Sequence, residues 1–264
     1  MVTISGEMLG FIKRKSLPVN ALKKNRAAAF ASLLAILASL WAESPLRAQA
    51  AAMLGQGTVS GRISLAGSLQ KPQALPVFKS RKFCGTAVAN ETLLVGRDGG
   101  VKNGVVILHP TDRPAVVLPG ALVLDNQRCA FAPHVQVAAL GSELMLKNSD
   151  PILHTVHARL GSETLFNVGL PKWRQVTKRL DRIGVIKINC DVLHTWMSAT
   201  IVVTDSPYFA VSDERGFFNL DALPAGVYEM EVWHERLGVH RQKISLLEFG
   251  AVALEVVYAA EKNR

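Results

Sequence analysis

Gly57-Thr58-Val59-Ser60-Gly61-Arg62-Ile63-Ser64-Leu65-Ala66-Gly67 decides the fold class. Val59, Ile63 and Leu65 alternate with polar neighbours, which places them on one face of an extended strand, and glycine turns frame the run. Outward from it, apolar residues recur in short bursts separated by Gly, Pro, Asn and Asp. This pattern predicts strands over 58–65, 104–108, 134–138, 143–148, 185–188, 199–203, 216–220, 228–233 and 251–257. The stretch 171–180 reads as one helical turn or a loop. No long helical period competes after residue 50, so the expected class is all-β.

The first fifty residues read differently. Lys13, Arg14, Lys15, Lys23, Lys24 and Arg26 precede a largely apolar run from Ala27 to Ala42, and Ala48-Gln49-Ala50 follows. A basic segment, an apolar segment and a small-residue site read as a secretory signal over residues 1–50, and a retained single anchor is the alternative. The chain carries 30 Lys and Arg against 21 Asp and Glu. Cleavage near Ala50 would leave 23 basic and 19 acidic residues, a net charge of +4 that is ordinary for a soluble domain. No Lys/Arg-dense run is interleaved with aromatics, so no nucleic-acid partner is expected. The expected location is the periplasm or another exported compartment, with no stable membrane span once the signal is removed.

Three cysteines remain: Cys84, Cys129 and Cys190. Export permits one bridge with one thiol left over. If Cys84 pairs with Cys129, Cys190 is the free thiol, and it is also the cysteine with a histidine and a methionine just downstream. A lone thiol in an oxidising compartment is exposed to oxidation, whereas a metal-bound thiolate has a reason to stay single.

The chemistry gathers in two segments. One is Asn148-Ser149-Asp150-Pro151-Ile152-Leu153-His154, followed by Thr155-Val156-His157. The other is Cys190-Asp191-Val192-Leu193-His194-Thr195-Trp196-Met197, immediately before the apolar run 199–203. A thiolate, imidazoles and a thioether form the ligand set of a copper electron-transfer centre. A loop joining two neighbouring strands can place Cys190, His194 and Met197 around one ion, and a distant strand end can supply His154. Taken singly, His154 also reads as a hydrogen-bonded loop histidine and Met197 as core filling; their joint occurrence favours coordination. His134, His157 and His234 are weaker metal candidates. His157 stands three residues beyond His154, on the opposite face of an extended strand, although a bend at the strand end could bring it near. Asp191 or Glu235 could fix a ligand tautomer, and the equal alternative is that these groups and the three histidines are ordinary surface groups or loop anchors.

These two segments resemble the cupredoxin family, in which a histidine after an N-x-D-type turn joins a Cys-His-Met loop between the last two strands of a Greek-key sandwich. The resemblance implies His154 and His194 as equatorial ligands, Cys190 as the thiolate ligand and Met197 as the weak axial ligand. Two features depart from the common pattern: threonine follows His154 where asparagine is frequent, and the C-x3-H-x2-M spacing gives Met197 an uncommon offset. The flanking sequence resembles the carboxypeptidase-regulatory-like, or transthyretin-like, sandwich. Its G-x-V-x-G strand corresponds to 57–61, its D-x-x-G-x-F turn begins at Asp213 and its L-P-x-G-x-Y turn begins at Leu223. These pieces are separated by about a hundred residues, which implies an inserted domain. The expected organisation is a regulatory-like sandwich over 57–112 and 207–258, with a cupredoxin-like domain over 115–206. The whole is similar to exported bacterial proteins described as plastocyanin-like or of methylamine-utilisation type.

The leading expectation is an exported copper protein that passes single electrons through an exposed ligand edge to a redox partner such as a cytochrome or a dehydrogenase. Copper storage, delivery or sensing is the alternative, and enzyme activity is left open. An oxidase lacks a second His-rich cluster, and no phosphate loop, H-E-x-x-H helix or Ser-His-Asp arrangement is present. Trp233-His234-Glu235 lies in a predicted strand and has no second histidine at helical spacing. A purely structural sandwich is the remaining reading.

Overall fold

The computed structural model describes residues 56–67 and 72–259; the signal expected over 1–50 lies outside the described residues. In chain order the elements are β1 (Gln56–Ala66), β2 (Leu75–Pro76), a single helical turn α1 (Arg81–Cys84), β3 (Ala87–Val88), β4 (Val105–Pro110), β5 (Ala121–Gln127) and β6 (Ala130–Ala132). There follow β7 (Val135–Ala139), β8 (Glu143–Asn148), β9 (His154–Leu160), β10 (Glu163–Leu170), β11 (Gln175–Arg179) and β12 (Gly184–Asn189). The last six are β13 (Ser198–Thr204), β14 (Tyr208–Val211), β15 (Phe217–Pro224), β16 (Gly226–His234), β17 (Gly238–Leu246) and β18 (Ala251–Ala259). The described residues are all-β apart from that one turn. The stretch 171–180, expected to be loop or helical turn, instead contains β11, paired antiparallel with β8. Among the described residues no helix is long and apolar enough to cross a membrane.

Among the described residues the strands form four sheets and the short β2–β3 pair, in the orders β15-β1-β18, β14-β4-β16-β17, β10-β9-β12-β13-β7 and β11-β8-β5-β6. The first two sheets enclose a core of Val59, Ile63, Val106, Leu108, Phe218, Tyr228, Met230 and Val256. The last two enclose Leu124, Leu144, Leu146, Val156, Ala158, Ile186, Ile188 and Ile201. A smaller core of Val105, Ile107, Val135, Val202 and Trp233 joins the second sheet to the third. Strand β4 therefore reads as an uninterrupted apolar run because Val106 and Leu108 face one core while Val105 and Ile107 face another. Strand β13 does the same, with Ala199, Ile201 and Val203 turned one way and Val202 the other. Period-two geometry buries such strands on both faces, and each Val, Ile or Leu side chain so buried contributes about 1.5–3 kcal/mol.

The recurring motifs have structural causes. A Cβ on Gly61 would lie 2.5 Å from the Leu254 carbonyl oxygen and 2.6 Å from the Phe218 ring, so only glycine lets β1 sit between its two neighbours. Gly216 has φ +82°, and a Cβ there would come within 2.2 Å of the Ile63 carbonyl oxygen. In the same turn Asp213 Oδ1 accepts the backbone N–H groups of Arg215 and Phe217, both at 2.8 Å. The buried Tyr228 ring sends its hydroxyl back to the Pro224 carbonyl at 2.5 Å, which ties the turn to the core. These contacts give the quoted glycines, aspartate and tyrosine a folding role.

Candidate metal centre

Strands β8 and β9 are joined by residues 149–153, a turn ordered by its own side chains. Asn148 Nδ2 donates to the carbonyls of Ile152 and Leu170, each at 2.8 Å, and Asn148 Oδ1 accepts the Asp150 N–H at 3.0 Å. Asp150 then points inward. Its Oδ1 accepts the Arg128 N–H at 2.7 Å, and its Oδ2 accepts the Cys129 N–H at 2.8 Å. Arg128 and Cys129 both have left-handed backbones, φ 53° and 60°, and their amides converge on the one carboxylate. Asp150 Oδ2 also lies 2.9 Å from His154 Nε2. That contact gives Nε2 the proton and leaves the Nδ1 lone pair free to bind a metal.

The second segment joins the antiparallel neighbours β12 and β13. Cys190 follows the last residue of β12. Leu193 takes φ +66°, which reverses the chain so that Leu193 is exposed and His194 turns inward. The Met197 N–H closes the loop onto the His194 carbonyl at 2.9 Å. Met197 is fully buried in the core beside Cys190 and Trp196. Trp196 Nε1 donates to the Cys129 carbonyl at 3.0 Å, so one turn at residues 128–129 supports both ligand segments.

The fold brings His154, Cys190 and His194 together, and these three form a candidate metal-binding group among the described residues. Nδ1 of His154 and Nδ1 of His194 are 3.1 Å apart, and Cys190 Sγ lies 3.9 Å and 3.8 Å from them. A circle through those three atoms has a radius of about 2.1 Å, the length of a metal–imidazole bond and slightly less than a metal–thiolate bond. One ion near the plane of the triangle would therefore reach all three donors without rearrangement. Two imidazoles and one thiolate in a trigonal arrangement are the donor set of a mononuclear copper centre.

The centre is shut off from water. His154, His194 and Cys190 are 0%, 1% and 3% exposed. Burial lowers the His154 pKa against the opposing pull of Asp150. His194 is lowered to about 4 by burial first, then by His154 and Lys79. Both imidazoles are thus neutral ligands at neutral pH. Thr155, in the position where asparagine is frequent in the resembling family, donates its backbone N–H to Cys190 Sγ at 3.4 Å. Its Oγ1 accepts the Asp191 N–H at 2.7 Å, which laces the two ligand segments together.

The three weaker candidates lie outside this group. His134 is 2.6 Å from Glu235 Oε1 through Nε2 and 3.0 Å from the Ser198 carbonyl through Nδ1. His157 Nε2 is 2.9 Å from Thr164 Oγ1. Its Nδ1 lies 2.8 Å from Asp191 Oδ2, a close ion-pair distance without hydrogen-bond alignment. Buried His234 accepts the Arg236 N–H at 3.2 Å. Glu235 pairs with His134 and Asp191 faces His157, whereas the carboxylate that orients a clustered histidine is Asp150. Among the described residues the expected exposed ligand edge is buried: His194 is 1% exposed, its Nε2 is 3.3 Å from Ser80 Oγ, and the segment bearing Ser80 lies over it. The Cys84–Cys129 disulfide forms, and Cys190 is the free cysteine. Asp150 was in view in its N-x-D turn, whereas Ser80 stands 114 residues from His194 with no local signal to mark it.

No protein-family profile matches the chain, and no curated protein matches it. Solved structures match part of it. A purple cupredoxin from Nitrosopumilus maritimus is 18% identical over 32% of this chain and 99% of its own, with a TM-score of 0.28. A copper-containing nitrite reductase from Thermus scotoductus is 18% identical over 36% of this chain and 25% of its own, with a TM-score of 0.30. A reduced amicyanin variant is 18% identical over 37% of this chain and 99% of its own, with a TM-score of 0.29.

Proposed function

We propose that this chain is an exported copper protein that binds one ion through His154 Nδ1, Cys190 Sγ and His194 Nδ1, with Met197 as a weak fourth donor, and passes single electrons to a partner protein. The observation that carries the reading is the buried triangle of one sulfur and two neutral imidazole nitrogens on a circle of about 2.1 Å radius. Bound there, copper would supply one-electron exchange between its two oxidation states. The chain's own residues do the rest. Asp150 fixes the tautomer of His154, the Thr155 N–H donates to the Cys190 sulfur, and both ligand segments are anchored in a sandwich whose packing resists rearrangement. The partner would be a cytochrome or a dehydrogenase in the compartment that also permits the Cys84–Cys129 bridge. The strands flanking the site would be a regulatory-like sandwich serving as scaffold for a cupredoxin-like insertion over 115–206; the G-x-V-x-G strand paired with the D-x-x-G-x-F strand supports that resemblance.

A second reading is copper storage or delivery, favoured by the cover over His194, because a ligand edge closed from solvent suits retention. The two are separated by optical and electron-spin spectra of the copper-loaded protein. Electron transfer predicts an intense thiolate-to-copper band that bleaches reversibly on reduction and is missing in Cys190→Ser. Copper(I) binding with no reversible oxidation would favour storage, and refusal of copper in both oxidation states would sink both readings.

A further inference from the structure

Residues 77–88 leave the body of the protein and return to it. Val77 is fully buried in the same core as Cys190, and its N–H donates to the Thr86 carbonyl at 3.0 Å. Strands β2 and β3 pair across the base, Leu75 with Val88 and Pro76 with Ala87. At the tip, Ser80 adopts φ 55°, and its carbonyl accepts the N–H groups of Phe83 and Cys84, both at 2.9 Å. This geometry leaves the Ser80 hydroxyl 3.3 Å from His194 Nε2. The far side is fastened by the Cys84–Cys129 disulfide. Cys129 is no neutral anchor, because its N–H holds Asp150 and its carbonyl holds Trp196. The bridge therefore ties the cover of one ligand to the turn that orients the other.

We propose that residues 77–88 are a disulfide-pinned cap that controls exchange at the His154, Cys190 and His194 centre, closed while Cys84 and Cys129 are joined and open when they are not. Metal uptake then precedes bridge formation, and retention follows it. The bridge can be reached: Cys129 is buried, but Cys84 is only half-buried and borders an open cavity of about 730 Å³ that also touches Gln127 and His134. A dithiol reductant would open the cap there. One of its thiolates bonds to Cys84 Sγ as the S–S bond breaks, and Cys129 leaves as a thiolate and takes up a proton. The reductant's second thiolate then attacks its own sulfur in the mixed disulfide, releasing Cys84 as a thiolate that takes up a proton and leaving the reductant as its own disulfide.

The identity of the metal rests on the function proposed above, but the cap does not, so it is tested on apo protein. The rate of Cys190 alkylation by iodoacetamide is read by mass spectrometry in the full chain and in Cys84→Ser/Cys129→Ser. The cap predicts at least about tenfold faster alkylation in the double variant, equivalent to ~1.4 kcal/mol of opening free energy. Hydrogen exchange should show protection lost only over 75–88 and 190–197, with β9 and β12 unchanged. Equal alkylation rates overturn the proposal. So does loss of protection throughout β9, β12 and β13, which would make the bridge a staple of the whole sandwich. Faster alkylation in a protein that never takes up copper would keep the cap and refute the copper reading alone.

Discussion

Asp150→Ala is the most informative single perturbation. The native carboxylate is buried and receives the Arg128 and Cys129 amides at 2.7 and 2.8 Å and His154 Nε2 at 2.9 Å. Truncation leaves three donors facing an apolar methyl group inside the protein. Each abandoned donor costs about 1–3 kcal/mol, so a loss on the order of 3–5 kcal/mol is expected once partial relaxation and entering water are allowed for. Metal affinity should fall as well, because a carboxylate behind a ligating histidine is typically worth about 10–100-fold. Urea unfolding of the apo protein reads the first quantity and competition against a copper(I) chelator reads the second. Asp150→Asn keeps one acceptor oxygen and should fall between Asp150→Ala and wild type on both scales. A stability loss below about 1 kcal/mol together with unchanged copper affinity would refute the hub assigned to Asp150.

Gly61→Ala should destabilise by about 1–3 kcal/mol through collision with the Leu254 carbonyl and the Phe218 ring, a fall of a few degrees in Tm by calorimetry, with the copper spectrum unchanged. Tyr228→Phe removes the hydroxyl that reaches Pro224 and should cost about 0.5–1.5 kcal/mol in the same assay. His234, 2% exposed and lowered to about 4 chiefly by burial, gives a pH signature. Its folded pKa lies below the unfolded value, so the unfolded chain binds more protons between pH 6.5 and 4. Its contribution is therefore complete above that window and is lost as pH falls through it, by up to about 3 kcal/mol. In urea titrations across this range His234→Gln should flatten the slope, although His154 and His194 in the apo protein keep some slope of the same sign.

Interior strands were easier to read from sequence than edges. The runs 105–108 and 199–203 are continuous because sheets pack against both faces, and the alternation in β1 is clean because one face meets a single core. Strands β10, β11, β14 and β17 lie at sheet edges. In β11, Gln175-Val176-Thr177-Lys178-Arg179 has no apolar stripe, and only pairing with β8 makes it a strand. The Cys190 to Met197 loop was legible because its residues are close in sequence, and His154 because a turn signal precedes it. Which carboxylate meets which histidine depends on register between distant strands, so Asp150, rather than Asp191 or Glu235, could be assigned only in the folded chain. Ser80 reaches His194 through a disulfide-fastened excursion that no local pattern encodes.

The central claim is that one sulfur and two imidazole nitrogens hold a single copper ion, and copper K-edge X-ray absorption of the loaded protein tests it most directly. The account predicts one copper per chain, with one sulfur scatterer and two imidazole nitrogens at about 2.0–2.1 Å, and loss of the sulfur shell in Cys190→Ser. A first shell of nitrogen and oxygen alone, or a spectrum that Cys190→Ser leaves unchanged, would contradict it.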